Sequence, residues 1–218
     1  AKAKESGKKP GGKPPKPPTA GPKAQDQLNL TDEESRIMPV AGGGFEQAYN
    51  AQAAVDTGSL LVVALDVTQA CNDKEQGVPM LEQLATLPDS LGQAKQLLAD
   101  TGFYSARNAG ACEARGIDPF IAVKQEEHHP APHERFTEPA ALAAEATPAQ
   151  AMAHKLKTNA SRALYALRKQ TVEPVFGIIK SVLGFRQFSL RGLKKVTGEW
   201  TLVCLAWNLK RMAVVRLA

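Results

Sequence analysis

The chain has 218 residues, 43% of them hydrophobic and 22% charged, enough for one sizeable domain or two small ones. No run reaches the roughly 18 uncharged apolar residues of a membrane span, and the N-terminus lacks the apolar core of a secretory signal. Cys71, Cys112 and Cys204 are scattered, odd in number and free of any C-x-x-C pairing, which argues against a disulfide framework or zinc knuckle and for a reducing, cytoplasmic setting.

The net charge of +5 is sharply segregated. Residues 1–24 carry seven Lys against Glu5. Residues 25–154 carry seven cations against nineteen acids. Residues 155–218 carry thirteen cations against only Glu173 and Glu199. A basic face of that size attracts a polyanion, and nucleic acid is the commonest one. The alternative is a solvated surface whose charges mix in three dimensions.

Residues 1–24 hold six Pro and four Gly and almost no apolar side chains. Such a segment cannot bury enough surface to offset ordering entropy. It predicts a disordered basic linker over 1–26, and a linker at the start of the chain, which opens on Ala1, implies a preceding portion. Residues 27–31 (QLNLT) predict a short strand ending at Asp32. DEESRIM then leads into a turn at Gly42-Gly43-Gly44. Phe45 to Asp56 alternates in part, with Ala51, Ala53 and Val55 on one side. Leu60 to Thr68 is an apolar, β-branched run and the strongest strand signal. The short D-T-G-S link between these two predicts a hairpin.

Gln76 to Leu87 has the apolar stripe of a helix. QLLA (96–99) predicts a buried strand ending at Asp100. Ser105 to Arg115 predicts a helix, with Ser105 as N-cap and Gly116 closing it. Pro119 to Val123 predicts another strand, and residues 124–160 an Ala/Pro/His-rich insertion. Val172, Val175, Phe176, Ile179, Val182 and Leu183 then recur at helical spacing. Leu190 to Leu193 is a turn, and Lys194 to Val215 reads as a helix apolar nearly all round, hence buried. A hairpin meander followed by alternating helices and strands predicts an α/β mixed sheet flanked by helices.

Asp32 and Asp100 fall at C-terminal ends of predicted strands, the edge where open α/β sheets bind ligands. Asp56 and Asp66 lie on the hairpin. Glu173 is the only acid between Lys155 and Gly198, among Arg162, Arg168, Lys169, Lys180 and Arg186. Three convergent carboxylates form a hard-oxygen ligand set for Mg²⁺ or Mn²⁺. Two such ions activate the attacking oxygen and stabilise the leaving oxygen in phosphodiester chemistry.

The stretches LNLTDEESRIM, GGFEQAYNAQAAVD, LLVVALDVTQACND, LLADTGFYSARN, YALRKQTVEPVFGIIK and SLRGLKKVTGEWTLVCLAWNLKRM resemble the catalytic domain of DDE transposases of bacterial insertion sequences. The resemblance implies an RNase H-like domain over 27–217, with a three-stranded antiparallel meander plus parallel strands. It implies metal-dependent phosphodiester cleavage and strand transfer at transposon ends, with water and then a freed 3′-hydroxyl as nucleophile. Asp100 matches the family's second Asp, in an aspartate–small–Gly–aromatic context. Tyr165, Arg168, Glu173 and Lys180 match its Y-x2-R-x3-E-x6-K signature, with one extra residue between Arg168 and Glu173. Asp32 is the implied first Asp, and Asp56 the fallback. By this carry-over Asp32, Asp100 and Glu173 hold two Mg²⁺ or Mn²⁺ ions, and Tyr165, Arg168, Lys169 and Lys180 contact DNA phosphates. The implied partners are double-stranded DNA, as transposon ends and target, and a second copy in a homodimeric complex, with no membrane and a nucleoid-associated location.

On a continuous helix, at about 100° per residue, Tyr165, Lys169, Glu173 and Lys180 share an arc of about 80°, with Arg168 off that face. Pro174 disfavours a helical predecessor, which predicts instead a second helix starting there with Glu173 at its mouth.

Other readings compete. D-T-G occurs at Asp56 and at Asp100, as in aspartic proteases, whose paired carboxylates share a proton. His128, His129 and His133 form a possible transition-metal set. The triple glycine lacks the G-K-[ST] of a phosphate loop. A truncated remnant that binds DNA without cutting it is the non-enzymatic alternative.

Overall fold

The computed structural model describes residues 28–40, 42–124 and 137–215. The 1–26 segment and His128, His129 and His133 lie outside the described residues. Gly42, Gly43 and Gly44 all take positive φ (96°, 91° and 98°), a region L side chains rarely enter. This run turns β1 (Arg36–Pro39) back into β2 (Phe45–Ala48), with Arg36 opposite Ala48 and Pro39 opposite Phe45.

The strand expected over 27–31 is not formed by its described residues, and strand β1 begins later, in RIMP. Short polar side chains hold the earlier segment in local turns. Asn29 Oδ1 accepts from Thr31 N at 2.9 Å, and Asp32 Oδ1 from Glu34 N at 3.2 Å. Such Asx contacts compete with strand pairing.

The segment from Phe45 to Asp56 is two strands, not one. It breaks at Tyr49, and β3 (Asn50–Val55) pairs antiparallel with β4 (Val62–Thr68). The hairpin is as the sequence predicts. Asp56 Oδ2 closes its turn, accepting from Ser59 N at 2.7 Å and Ser59 Oγ at 2.6 Å. The outer edge of β4 is covered by side chains. Asn208 accepts from Val62 N and donates to Val62 O, both at 2.8 Å, as a neighbouring strand would.

β5 (Gln96–Ala99), α2 (Ala106–Glu113) and β6 (Asp118–Ile121) form a parallel β-α-β unit, with Gln96 opposite Asp118. Ser105 caps α2 by accepting from Asn108 N at 3.0 Å, and Gly116 ends the turn after it at φ 69°. Among the described residues the strands form three separate two-stranded sheets, two antiparallel and one parallel, rather than the single mixed sheet expected. The expected three-stranded meander is not among these pairings.

α1 (Gly77–Leu84) packs on α2 through a close approach. A Cβ on Gly77 would lie 2.6 Å from Asn108 Cγ. Asn108 is 1% exposed, and its Nδ2 holds Lys74 O at 2.9 Å and Phe103 O at 2.7 Å. Gly77→Ala must displace that amide, and overpacking of this kind destabilises by about 1–3 kcal/mol. Urea denaturation is expected to show a lower midpoint at unchanged slope.

α3 (Pro148–Lys157) starts on a capping box between Thr147 and Gln150. It falls inside the 124–160 region. α4 (Asn159–Ser181) runs unbroken through Pro174, so the expected second helix does not exist. Val175 and Ile179 are fully buried one and five residues beyond the proline. Their burial against the β3–β4 hairpin offsets the local penalty of the missing N–H.

α5 (Leu193–Val215) covers the other side of this core. Val196, Trp200, Cys204 and Trp207 pack with Val62, Val67, Val175 and Ile179. It is not buried all round, as its sequence suggested: Leu202, Leu205, Leu209 and Met212 are exposed on the opposite face. All three cysteines are free. Burial pushes the Cys112 thiol up to about 11 and that of Cys204 up to about 12, so both are core thiols rather than nucleophiles.

Candidate active site

The chain turns sharply where β5 ends. Asp100 caps the 3-10 turn Thr101–Phe103, its Oδ1 accepting from Gly102 N at 2.9 Å. The side chain is otherwise exposed at the C-terminal end of a parallel strand. α4 is pinned to the same point. Tyr165 Oη donates to Ala99 O, 3.0 Å away, at the residue before Asp100. The expected phosphate contact at Tyr165 therefore falls on a side chain that already ties the helix to the strand.

Eight residues further along α4 stands Glu173, with its side chain about half exposed and Oε1 3.3 Å from Arg168 Nη2. Arg168 also lies over the Tyr165 ring, 5.7 Å from its centroid, and is largely buried. Tyr165, Arg168 and Glu173 are thus one connected group on the helix. The continuous helix keeps Lys169 and Lys180 on the Glu173 face, and both are exposed.

Opposite Asp100, across Gly102, lies an acid that the sequence reading passed over. A Cβ on Gly102 would sit 3.0 Å from Asp73 Oδ2 and 3.1 Å from Asp100 Oδ1. Asp73 Oδ1 is held by Asn50 Nδ2 at 2.7 Å and Gln52 Nε2 at 2.8 Å. Its signal in sequence was slight: the Asn-Asp of QACND, with partners more than twenty residues earlier.

Asp32 has other work. Tyr49 Oη lies 2.8 and 2.9 Å from its two carboxylate oxygens, and Gly192 N donates at 3.3 Å. It staples the segment before β1 to the turn before α5. Slight desolvation raises its pKa. The hydrogen bonds from Tyr49 and from the backbone of Gly192, Glu34 and Ser35 outweigh that and hold the carboxyl below its ordinary 3.8. Burial, with the Asp32 hydrogen bond and charge, pushes the Tyr49 phenol from 10.0 up to about 12.

The signs follow from linkage. The Asp32 contribution to stability is present above pH 3.8 and lost as pH falls through its lower folded value. The Tyr49 contribution is full below pH 10 and lost as pH rises through about 12. Tyr49→Phe is expected to lower stability by about 1.5–3 kcal/mol near neutrality, the range for a hydrogen bond to a charged acceptor. Urea midpoints measured across pH check both limbs, and the variant is expected to flatten them.

Asp56 sits in the hairpin turn, at the far end of β3 from Asn50, Asp73 and Asp100. Six residues at about 3.3 Å each separate those ends, so Asp56 and Asp100 do not form the proton-sharing pair of an aspartic protease. Asp66, opposite Gln52 in the hairpin, takes the Val67 N–H at 2.8 Å. Among the described residues no three His, Cys, Asp or Glu side chains gather closely enough to hold a metal, so the Asp32–Asp100–Glu173 set is not assembled there. Asp100 and Glu173 nevertheless fit a hard divalent ion in donor chemistry.

The charges of the C-terminal third do not mix evenly. Ion pairs there join Lys155 to Asp118 and Arg168 to Glu173. Lys169, Lys180, Arg186, Arg191, Lys194 and Lys195 are exposed, and among the described residues none of them is in an ion pair. No helix among the described residues is long and apolar enough to cross a membrane.

A carboxylate at a parallel strand end, a Glu eight residues along the helix that Tyr165 ties to that strand, and exposed cations outside the described ion pairs together suit an enzyme acting on nucleic acid. Residues 22–209 match the family model described as the transposase DDE domain, and the chain belongs to that family. Membership implies DNA as substrate and a transposase-type nuclease chemistry that generally uses divalent metal ions. Searches for similar curated proteins and similar solved structures returned no match.

Proposed function

We propose that this chain is the RNase H-like catalytic domain of an insertion-sequence transposase, cutting DNA at transposon ends and joining the freed 3′ ends to a target. The match over residues 22–209 carries the reading. Asp100 and Glu173 are the proposed carboxylate ligands, and Mg²⁺ or Mn²⁺ the proposed ion. A divalent ion bound there supplies Lewis-acid stabilisation of a phosphoryl oxygen. Asp32 is assigned to the staple with Tyr49 and Gly192, since its oxygens already accept those donors.

The protein's own side chains do the positioning. Tyr165 fixes the helix against the end of β5, and Arg168 neutralises and orients Glu173. Lys169 and Lys180 meet backbone phosphates, which place the duplex without reading its sequence. Two copies of the chain, one per transposon end, form the proposed active complex.

The test is incubation of the protein with supercoiled plasmid carrying transposon ends, with Mg²⁺ or with EDTA. The expected result is open-circular and joined product with Mg²⁺ only, together with a salt-sensitive gel shift. A gel shift with no nicking in Mg²⁺ or Mn²⁺ identifies a non-catalytic DNA-binding remnant instead.

A further inference from the structure

Asp73 is more than a loop residue. Its Oδ1 is fixed by two amides of β3, one of them on Gln52, which is 5% exposed. No described donor meets its Oδ2. That oxygen faces Asp100 Oδ1, both about 3 Å from the point where a Gly102 side chain would begin, so the two oxygens are at most twice that apart. The arrangement is built from both sides. Asn108 clamps the two loops together, holding Lys74 O next to Asp73 and Phe103 O next to Gly102. The glycine keeps the gap open as well, because a Cβ there would sit 3.0 and 3.1 Å from the two carboxylate oxygens and press them apart.

We propose that Asp73 is a positioning residue for Asp100: its charge, held at fixed distance across Gly102, strengthens the hold of Asp100 on a divalent cation and sets the metal concentration at which the enzyme works. The inference rests on the reading of Asp100 as a metal ligand. Its physical basis is simple. Two negative charges held this close repel, and a cation bound at Asp100 relieves the repulsion. Coulomb attraction between one charge and a divalent ion at such a separation, even with water-like screening, amounts to about a tenfold change in affinity.

Asp73→Asn separates charge from structure. The amide oxygen of the new residue can still accept from Asn50 and Gln52, so the tether survives while the charge is lost. Asp73→Glu keeps the charge and serves as the conservative rescue. Two readouts are needed: Mn²⁺ binding by calorimetry, and the Mg²⁺ dependence of plasmid nicking. Asp73→Asn is expected to raise the half-saturating metal concentration about tenfold in both, with the nicking rate at saturating metal within about twofold of wild type. Asp73→Glu is expected to stay within about threefold of wild type in both. An unchanged metal requirement in Asp73→Asn overturns the proposal, as does an equal shift in both variants. So does a rate loss in Asp73→Asn that saturating metal fails to restore. Asp100→Asn provides the separate control. If it leaves nicking and Mn²⁺ binding intact, the reading of Asp100 itself fails, whatever Asp73 does.

Discussion

Asp100→Ala and Glu173→Ala are each expected to lower Mg²⁺-dependent nicking by about a thousandfold or more. Metal stabilisation of a reacting phosphate amounts to several kcal/mol, and each 1.36 kcal/mol is a factor of ten in rate. Neither change should unfold the protein. Asp100 is exposed and accepts a hydrogen bond from Gly102 N. Glu173 loses a half-exposed ion pair with Arg168, a kind of contact that contributes about 0–1 kcal/mol. DNA binding should persist in both variants, since the unpaired cations remain. Glu173→Ala is expected to shift DNA at least as well as wild type, because it removes a negative charge and frees Arg168 for phosphate. Plasmid nicking and gel shifts on the same preparations separate these effects. Nicking within tenfold of wild type in both variants would remove Asp100 and Glu173 from the chemistry.

The largest stability effect is expected at Trp200. It is 2% exposed, donates its indole N–H to Gln52 O at 2.9 Å and stacks on Phe176 with centroids 5.5 Å apart. Phe185 lies against it at 6.2 Å. The residue joins α5 to β3 and to α4 at once. Trp200→Ala leaves a large cavity and an unpaired carbonyl on β3, which together destabilise by about 3–5 kcal/mol. Because Gln52 also holds Asp73, the loosened strand should affect the Asp100 turn. Urea denaturation checks the first effect. Hydrogen exchange at Asn50 to Gln52 and at Gly102 checks the second, with faster exchange expected at both places.

Much of this was legible because the chain punctuates itself. The apolar run of β4, the short strand before Asp100, the Ser105 cap and the Gly116 stop fix the hairpin and the β-α-β unit by local rules alone. Tyr49 is different. Nothing in FEQAYNAQAAVD marks it as a break, because the break is imposed from outside, by Asp32 on its hydroxyl and Phe188 against its ring. Pro174 misled for a similar reason. The proline rule is local, whereas the burial of Val175 and Ile179 that carries the helix through it is tertiary. Asp32 resembles a strand-end acid in sequence because Leu28 and Leu30 alternate as in a strand, whereas the side chains of Asn29 and Asp32 fold that segment into turns. Asp73 was invisible because its significance lies in contacts with Asn50, Gln52 and Gly102, all distant in sequence.

The central claim is that Asp100 and Glu173 hold a divalent ion that acts on DNA. It can be tested without turnover by replacing Mg²⁺ with Fe²⁺ in the presence of ascorbate and peroxide, so that radicals cut the backbone beside the bound ion. The account predicts cuts clustered at residues 98–104 and 171–175, suppressed by excess Mg²⁺ and absent in Asp100→Ala. Cuts confined to the segment around His128, His129 and His133, or cuts indifferent to Mg²⁺, would contradict it.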